Sequence, residues 1–100
     1  MEVDFEAELY VWDARKADTW TFVALPPEVA DEIDEVAAGR SGGFGSLRVE
    51  VTVGRTVWRT SIFPDKGAAT FVLPVKRAVR RAEGVEAGDR VAVTLRLVDL

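Results

Sequence analysis

The string from Trp58 to Ser61 has the residue types and spacing best suited to binding an anion. Side chains alternate between the two faces of a β-strand, so Arg59 and Ser61 project from one face. The strand predicted to pair with this one brings Arg48 to the same face, where guanidinium and hydroxyl groups together can bind a carboxylate or a phosphate. The favoured alternative is structural: Glu50 neutralises Arg59, Trp58 belongs to the core, and the polar side chains form an ordinary solvent-facing sheet.

A second candidate site is a basic stripe on a short helix, formed by Lys76, Arg77, Arg80 and Arg81. Such a stripe can contact nucleic-acid phosphates or a protein partner. Two structural interpretations compete with these functions. The stripe is either the solvated side of an amphipathic helix, or it pairs with an acidic helix face between Asp31 and Glu35. Because the formal net charge is −4, sequence-independent binding of nucleic acid is not expected.

The aromatic residues can fill a core or line a cleft. Small barrels are usually filled by their own side chains, so core positions are predicted for Trp20, Phe22, Trp58 and Phe71. Trp12 and Phe44 lie at the ends of loops and are predicted to be rim residues. A ligand pocket is therefore expected between this rim and the strand over residues 58–61.

Composition excludes several kinds of chemistry. The chain contains no His and no Cys, which excludes Ser-His and Cys-His catalysis, His-metal sites and disulfides. Asp4, Glu6 and Glu8 form a row typical of a solvated strand face, whereas acid–base catalysis needs a carboxylate in a desolvating pocket. The glycine-rich stretch over residues 40–46 follows a predicted helix and precedes a strand, the reverse of a phosphate-binding loop. No catalytic residue, no metal site and no cofactor is predicted.

Length and composition predict a single domain over residues 1–100. The 100 residues are 48% hydrophobic and 30% charged, enough for one core and too apolar for a disordered chain. Residues 1–38 carry eleven acidic and two basic side chains, giving −9, and residues 39–100 carry six acidic and eleven basic ones, giving +5. No targeting segment or membrane-spanning run is visible, so a cytoplasmic location is expected.

Hydrophobic periodicity predicts six strands and two helices. The strands are predicted at residues 3–11, 19–25, 47–53, 56–63, 69–73 and 90–97. The first helix begins after Pro26, ends at Gly39 and is predicted to bury Val29, Ala30, Ile33, Val36 and Ala37. The second helix follows Pro74, ends at Gly84, and is predicted to face Val75, Ala78, Val79 and Ala82 inward and its four basic residues outward.

Gly54-Arg55 fixes the register of the central hairpin, because Gly at the first position of a two-residue loop indicates a type II′ turn. The predicted pairs are Val53–Thr56, Val51–Trp58, Val49–Thr60 and Leu47–Ile62 on the apolar face, and Glu50–Arg59 and Arg48–Ser61 on the other.

The element order ββαβ occurs twice, in pseudo-repeats over residues 1–53 and 56–100. The segment Thr21–Pro26 is similar to Thr70–Pro74, and each leads into a helix with proline at its start. The repeated order and motif predict a mostly β fold. It is a pseudo-two-fold ββαβ-ββαβ double-split β-barrel, in which six strands and two short helices enclose one core.

Four longer motifs, Trp20–Pro26, Gly54–Pro64, Leu73–Gly84 and Gly88–Val91, span nearly the whole chain. Together they resemble a small bacterial domain family of unknown function, whose members occur alone or beside a bacteriocin-protection domain of the YdeI/OmpD-associated type. The resemblance implies a double-split barrel of the AF/PG-like superfamily, a fold shared with the AbrB and MazE transcription-factor domains. Here both half-barrels lie on one chain, whereas AbrB-type proteins need two chains, so the resemblance carries over a fold and no activity.

The expected function is that of a non-catalytic binding module for a small anionic ligand or a protein partner, acting as a monomer or weak dimer without membrane contact. One alternative is a DNA-binding regulator or antitoxin-like protein of the AbrB/MazE type, which needs an assembled basic face. Another is an enzyme without His or Cys, which needs a carboxylate in a pocket. Pairing of the basic helix with the acidic helix would favour the interaction module, and contiguous positive potential over residues 76–81 would favour DNA binding.

Overall fold

A computed structural model of the protein describes residues 1–12, 20–37 and 45–98. Phe44 and Gly39 lie outside the described residues. The elements are β1 (Glu2–Glu8), β2 (Tyr10–Val11), β3 (Thr21–Ala24), α1 (Pro27–Val36), β4 (Leu47–Val53), β5 (Thr56–Asp65), β6 (Thr70–Pro74), α2 (Arg77–Glu83) and β7 (Arg90–Leu97).

The strands pair antiparallel in the order β1-β7-β4-β5-β6-β3-β2. Only Leu9 separates β1 from β2, so the two ends of this order are one run of chain and the sheet curls back to its start. The first sheet contains β1, β7, β4 and residues 56–62 of β5. The second sheet contains β2, β3, β6 and residues 63–65 of β5.

The pairing pattern is unchanged when the two halves of the chain are exchanged. The β1–β7 pair corresponds to β5–β4, and the β2–β3 pair corresponds to β5–β6. The β4–β7 and β3–β6 pairs join equivalent strands across the pseudo-axis. The predicted mostly β, pseudo-two-fold double-split barrel with two short helices is confirmed.

Branched apolar side chains fill the space enclosed by the curled sheet. On β4, Leu47, Val49, Val51 and Val53 alternate inward with polar side chains outward, as the period-two pattern requires. Leu9, Leu25, Ile62, Leu73 and Leu95 are 0–1% exposed, and Ile33 of α1 closes over them at 0%. Burial of each such side chain contributes about 1.5–3 kcal/mol, which is why the inward positions dictate the register.

The hairpin register predicted from Gly54 is confirmed at all six pairs, from Val53–Thr56 outward to Leu47–Ile62. Gly54 has φ +58°, and Arg55 is not among the described residues with positive φ, which matches a type II′ turn. The turn therefore determines which β5 side chains face the core and which face outward.

The predicted first strand is interrupted at Leu9, which the alternation pattern did not show. The Leu9 amide donates to the Asp89 carbonyl at 2.9 Å, and its carbonyl accepts from the Gly88 amide at 2.8 Å. At Leu9 the chain thus stops pairing with β7 and bonds instead to the loop that precedes β7. The next residues, in β2, pair with β3.

β5 continues through Pro64 to Asp65, two residues beyond the predicted end of the strand at residue 63. Pro64 lies opposite Phe71, whose carbonyl accepts from the Leu25 amide on the other side at 2.9 Å. The Pro64–Phe71 pair therefore exchanges no backbone hydrogen bond, so proline in this position removes no hydrogen bond to β6. The turn follows instead at Asp65, whose Oδ1 accepts from the Gly67 amide at 3.0 Å.

The first helix follows the predicted apolar stripe except at its end. Val29, Ala30 and Ile33 are buried, but Val36 in the last turn is 45% exposed. Pro27 occupies the first turn, where an N–H would have no helical partner.

The prediction for the inner face of α2 is wrong at three positions. Ala78 and Ala82 are exposed, and Arg80 is half-buried instead of outward. Val79 is buried, Glu83 follows it at position i+4 on the same side of the helix, and Arg80, three residues before Glu83, lies beside that side. Hydroxyl groups on neighbouring strands accommodate these polar side chains. Gly84 ends the helix at φ +66°, as predicted.

The predicted core positions of the aromatic residues are partly confirmed and partly wrong. Phe22 and Phe71 are buried at 8% and 6% exposure, and Trp58 packs half-buried against the core. Trp20 is 60% exposed, so its predicted core position is wrong. It precedes β3 on the outward side of that strand, two residues from Phe22.

None of the helices in the described part of the chain is long and apolar enough to cross a membrane.

Glu83 fastens α2 to the central hairpin, which gives a stability prediction. The Thr56 hydroxyl donates to Glu83 Oε2 at 2.5 Å, and a Cβ at Gly54 would collide with the same carboxylate. Gly54→Ala should therefore displace Glu83 as well as strain the turn. In urea denaturation, we expect Gly54→Ala to lower the free energy of unfolding by about 1 kcal/mol more in the wild-type background than in a background that carries Glu83→Ala. Gly88→Ala, with open space around its Cβ, should cost the same in both backgrounds. Equal losses for Gly54→Ala in both would contradict this contact.

Candidate functional site

A cleft of about 360 Å³ lies between β5, the end of β6 and the start of α2. It combines two indoles, two hydroxyls and four cationic side chains. Among the described residues its lining consists of Trp20, Thr21, Trp58, Arg59, Thr60, Pro74, Val75, Lys76, Arg77 and Arg80, with no carboxylate.

The hairpin register supplies one wall of the cleft. Trp58 and Thr60 lie opposite Val51 and Val49, on the strand face that is turned toward the core. Trp58 nevertheless remains half-buried, since the cleft opens beside it. Arg59, the intervening residue, also lines the cleft.

The opposite wall is tied to β3 by two hydrogen bonds. The Val75 amide donates to the Thr21 carbonyl at 2.9 Å, which fixes the segment that leads into α2. Arg80 Nη1 donates to Thr21 Oγ1 at 2.8 Å, and Thr21 is only 5% exposed. A guanidinium held through one nitrogen keeps further N–H donors for a ligand, so Arg80 is oriented before anything binds.

Glu50 holds Arg59 from the outer face of the first sheet. Glu50 Oε2 lies 3.4 Å from Arg59 Nε, and its Oε1 lies 2.9 Å from Arg96 Nη2. The hydrogen bond from Arg96, followed by the Arg96 charge and the Arg59 interactions, outweighs desolvation and lowers the pKa of Glu50. The predicted Glu50–Arg59 ion pair is thus present, and Arg96 shares it.

Trp20 forms the open edge of the cleft. Its ring stacks on Phe22, with centroids 6.1 Å apart and an interplanar angle of 21°. Its carbonyl accepts from the Trp12 amide at 2.9 Å, so the backbone is held where β3 begins. The indole is 60% exposed despite these contacts. Trp20 and Thr21 were not predicted as site residues. The repeat relates β3 to β6, the strand that leads into α2, and a pairing of these two strands would have pointed to them.

The predicted ligand-binding residues are only partly brought together. Trp58 and Arg59 line the cleft, together with Lys76, Arg77 and Arg80 of the basic stripe. Arg48 and Ser61 lie elsewhere on the first sheet, where Arg48 Nη1 donates to Ser61 Oγ at 3.4 Å. Arg81 lines a separate depression that also contains Glu86 and Asp89.

Trp12 lines a different cavity, on the outer face of the second sheet. That cavity lies beside Tyr10, Phe22 and Asp65. Trp12 is 63% exposed and Phe63, on the same outer face, is 43% exposed. The outer face of the first sheet carries mainly charged and polar side chains, with Val57 as an apolar exception that is 57% exposed, so the two sheets present different surfaces.

Charged side chains pair across the first sheet, and one of these pairs involves an acid of β1. Salt bridges between described residues join Glu6 to Arg90 and Glu50 to Arg59 and Arg96. Thr94 Oγ1 adds a hydrogen bond to Asp4 Oδ1 at 2.7 Å. None of these contacts involves α1 or α2, so they provide no pairing between the acidic and basic helices. The described residues also contain no group of His, Cys, Asp or Glu that could hold a metal ion.

A family model described as "Domain of unknown function (DUF1905)" matches residues 5–95. This agrees with the resemblance to a small domain family of unknown function. No curated protein matches the sequence.

Tyr10, the one tyrosine of the chain, reports on the second sheet's outer face. Burial, and to a smaller extent the Asp65 carboxylate, raises the pKa of Tyr10 above its ordinary value of 10.0. The folded state thus holds the phenol proton more tightly, and this stabilisation is lost as pH rises through the folded-state pKa. Absorbance titration should give a midpoint above 10.0. Asp65→Asn should lower this midpoint by less than half of the shift, because burial is the larger cause. Asp4→Asn, on the other sheet, should not move it. A wild-type midpoint at or below 10.0, with the fold intact by circular dichroism, would contradict this environment.

Proposed function

The chain belongs to the DUF1905 family of domains of unknown function, and we propose that it is a non-catalytic binding module that takes a small anionic ligand in the cleft between β5 and α2. One observation carries this proposal: four cationic side chains line a single cleft whose described lining has no carboxylate, in a chain of net charge −4. Concave sites lined by one sign of charge concentrate ligands of the opposite sign.

The arrangement of the cations favours a ligand over a purely structural role. Arg59 of β5, Lys76 of the segment before α2 and Arg80 of α2 line one space. Like charges brought together repel, and a bound anion removes this repulsion. Arg80 is oriented by Thr21, and Arg59 by Glu50, so less side-chain freedom is lost when an anion binds.

The side chains of the cleft favour binding without catalysis. The chain has no His or Cys, and no described lining residue is Asp or Glu, so the described lining offers no imidazole, thiolate or carboxylate as a general base. The Thr21 hydroxyl already accepts from Arg80 and is buried. These features support a binding module over an enzyme that lacks His and Cys.

A DNA-binding regulator of the AbrB/MazE type is the second candidate. It is favoured by the basic residues of α2, which no salt bridge between described residues joins to the acidic face of α1. It is disfavoured by the direction of Arg80, which turns into a cleft of small-molecule size instead of outward toward a duplex.

Calorimetric titration with phosphate-bearing compounds tests the first candidate. Lys76→Glu and Arg59→Ala should each weaken binding about tenfold or more, because each removes a charged contact. Arg90→Ala is the matched control for Arg59→Ala, since it also removes one positive charge but lies on β7, away from the cleft. Absence of binding, or an equal loss in Arg90→Ala, would overturn the proposal.

A gel-shift assay at low salt separates the second candidate. The intact chain should not retard double-stranded DNA at micromolar concentration. Retardation that disappears in Lys76→Glu and persists in Arg90→Ala would favour the regulator instead.

A further inference from the structure

The cleft places two indole rings beside its cationic groups. Trp58 forms part of the inner wall and is half-buried, whereas Trp20 forms the outer edge and is 60% exposed. Tryptophan is the largest apolar side chain, and its exposure in a folded domain is more typical of contact surfaces than of ordinary solvent-facing positions. A ligand with only an anionic group would leave this ring surface in water.

Trp20 is held in place without a ligand. Phe22 stacks on it with an interplanar angle of 21°, and Phe22 is itself 8% exposed and therefore fixed. The hydrogen bond from the Trp12 amide to the Trp20 carbonyl anchors the backbone at the same position. A supported indole presents a flat surface at little entropic cost, which is the requirement for stacking on a planar ligand.

The polar groups complete a site for a ligand with two different ends. Arg59, Lys76 and Arg80 supply positive charge for an anionic end, and the Thr60 hydroxyl can donate or accept a hydrogen bond. The volume of about 360 Å³ falls at the lower end of the range for small-molecule sites, room for one ring system and one anionic group.

We infer that this cleft selects anions that carry a planar aromatic ring, with the ring on Trp20 and the phosphate or carboxylate among the cations. The inference rests on the proposed function and narrows its ligand class. A nucleoside monophosphate and an aromatic carboxylate share this chemistry, so both serve as probes.

The test compares matched ligands by calorimetry. In the phosphate arm, AMP is compared with ribose 5-phosphate, and in the carboxylate arm, benzoate is compared with acetate. In at least one arm the ring-bearing ligand should bind about tenfold more tightly, the factor that stacking on one aromatic side chain typically contributes. The arm with the larger factor identifies the anionic group.

Two tryptophan variants locate the effect. Trp20→Leu should abolish the advantage of the ring-bearing ligand, and Trp20→Phe should retain most of it because the ring is kept. Trp12→Leu is the matched control, since Trp12 is 63% exposed on the same sheet but lines the other cavity. Unchanged thermal melting of each variant shows that it is folded.

The outcomes separate the two proposals. Equal affinity for ringed and ringless anions, or an equal loss in Trp12→Leu, would overturn the aromatic selectivity and leave the anion site standing. If none of the four anions binds, or if adenosine binds as tightly as AMP and Lys76→Glu changes nothing, the anion site itself is overturned and the inference with it.

Discussion

The structure depends on one constraint, that two runs of chain must each serve both sheets. Residues 56–62 of β5 pair with β4, and residues 63–65 pair with β6. Residues 2–8 pair with β7, and after Leu9 the chain pairs with β3. These two transfers return the strand order to its start, and they place β5 beside the segment that leads into α2. The cleft lies at that junction because the register of β5 is fixed by the type II′ turn at Gly54.

The pseudo-two-fold repeat produces two equivalent helices with different attachments. α1 has ten residues and buries Val29, Ala30 and Ile33. α2 has seven residues, buries only Val79 among them, and is held by Arg80 to Thr21 and by Glu83 to Thr56. Because two polar contacts hold α2 in place of apolar packing, α2 has less hydrophobic stabilisation than α1. The same contacts bring the Arg80 guanidinium to the edge of the core. The asymmetry between the repeats, more than the barrel itself, creates the candidate site.

Sequence reasoning succeeded where local chemistry determines structure. The turn at Gly54, the left-handed end of α2 at Gly84 and the last strand all follow from residue type and alternation. It failed where a distant partner decides. Arg80 turns inward because Thr21, far away in sequence, offers a buried hydroxyl, and Ala78 and Ala82 are left outside as a result. Trp20 reads as a strand residue by composition, but the strand begins one residue later. The cleft combines two of the six predicted ligand-binding residues, Trp58 and Arg59, with three of the four residues of the basic stripe, and only the fold shows that they meet.

We propose that this domain binds its ligand in the cleft between β5 and α2. The most direct test of this proposal is a two-dimensional NMR titration of the labelled intact chain with AMP, because the three tryptophans give three separate indole resonances. We expect the indole signals of Trp20 and Trp58 and the amide signals of residues 75–80 to shift together, while the Trp12 indole stays in place. Shifts concentrated on α1 or around Tyr10 and Asp65, with Trp20 and Trp58 unchanged, would contradict it.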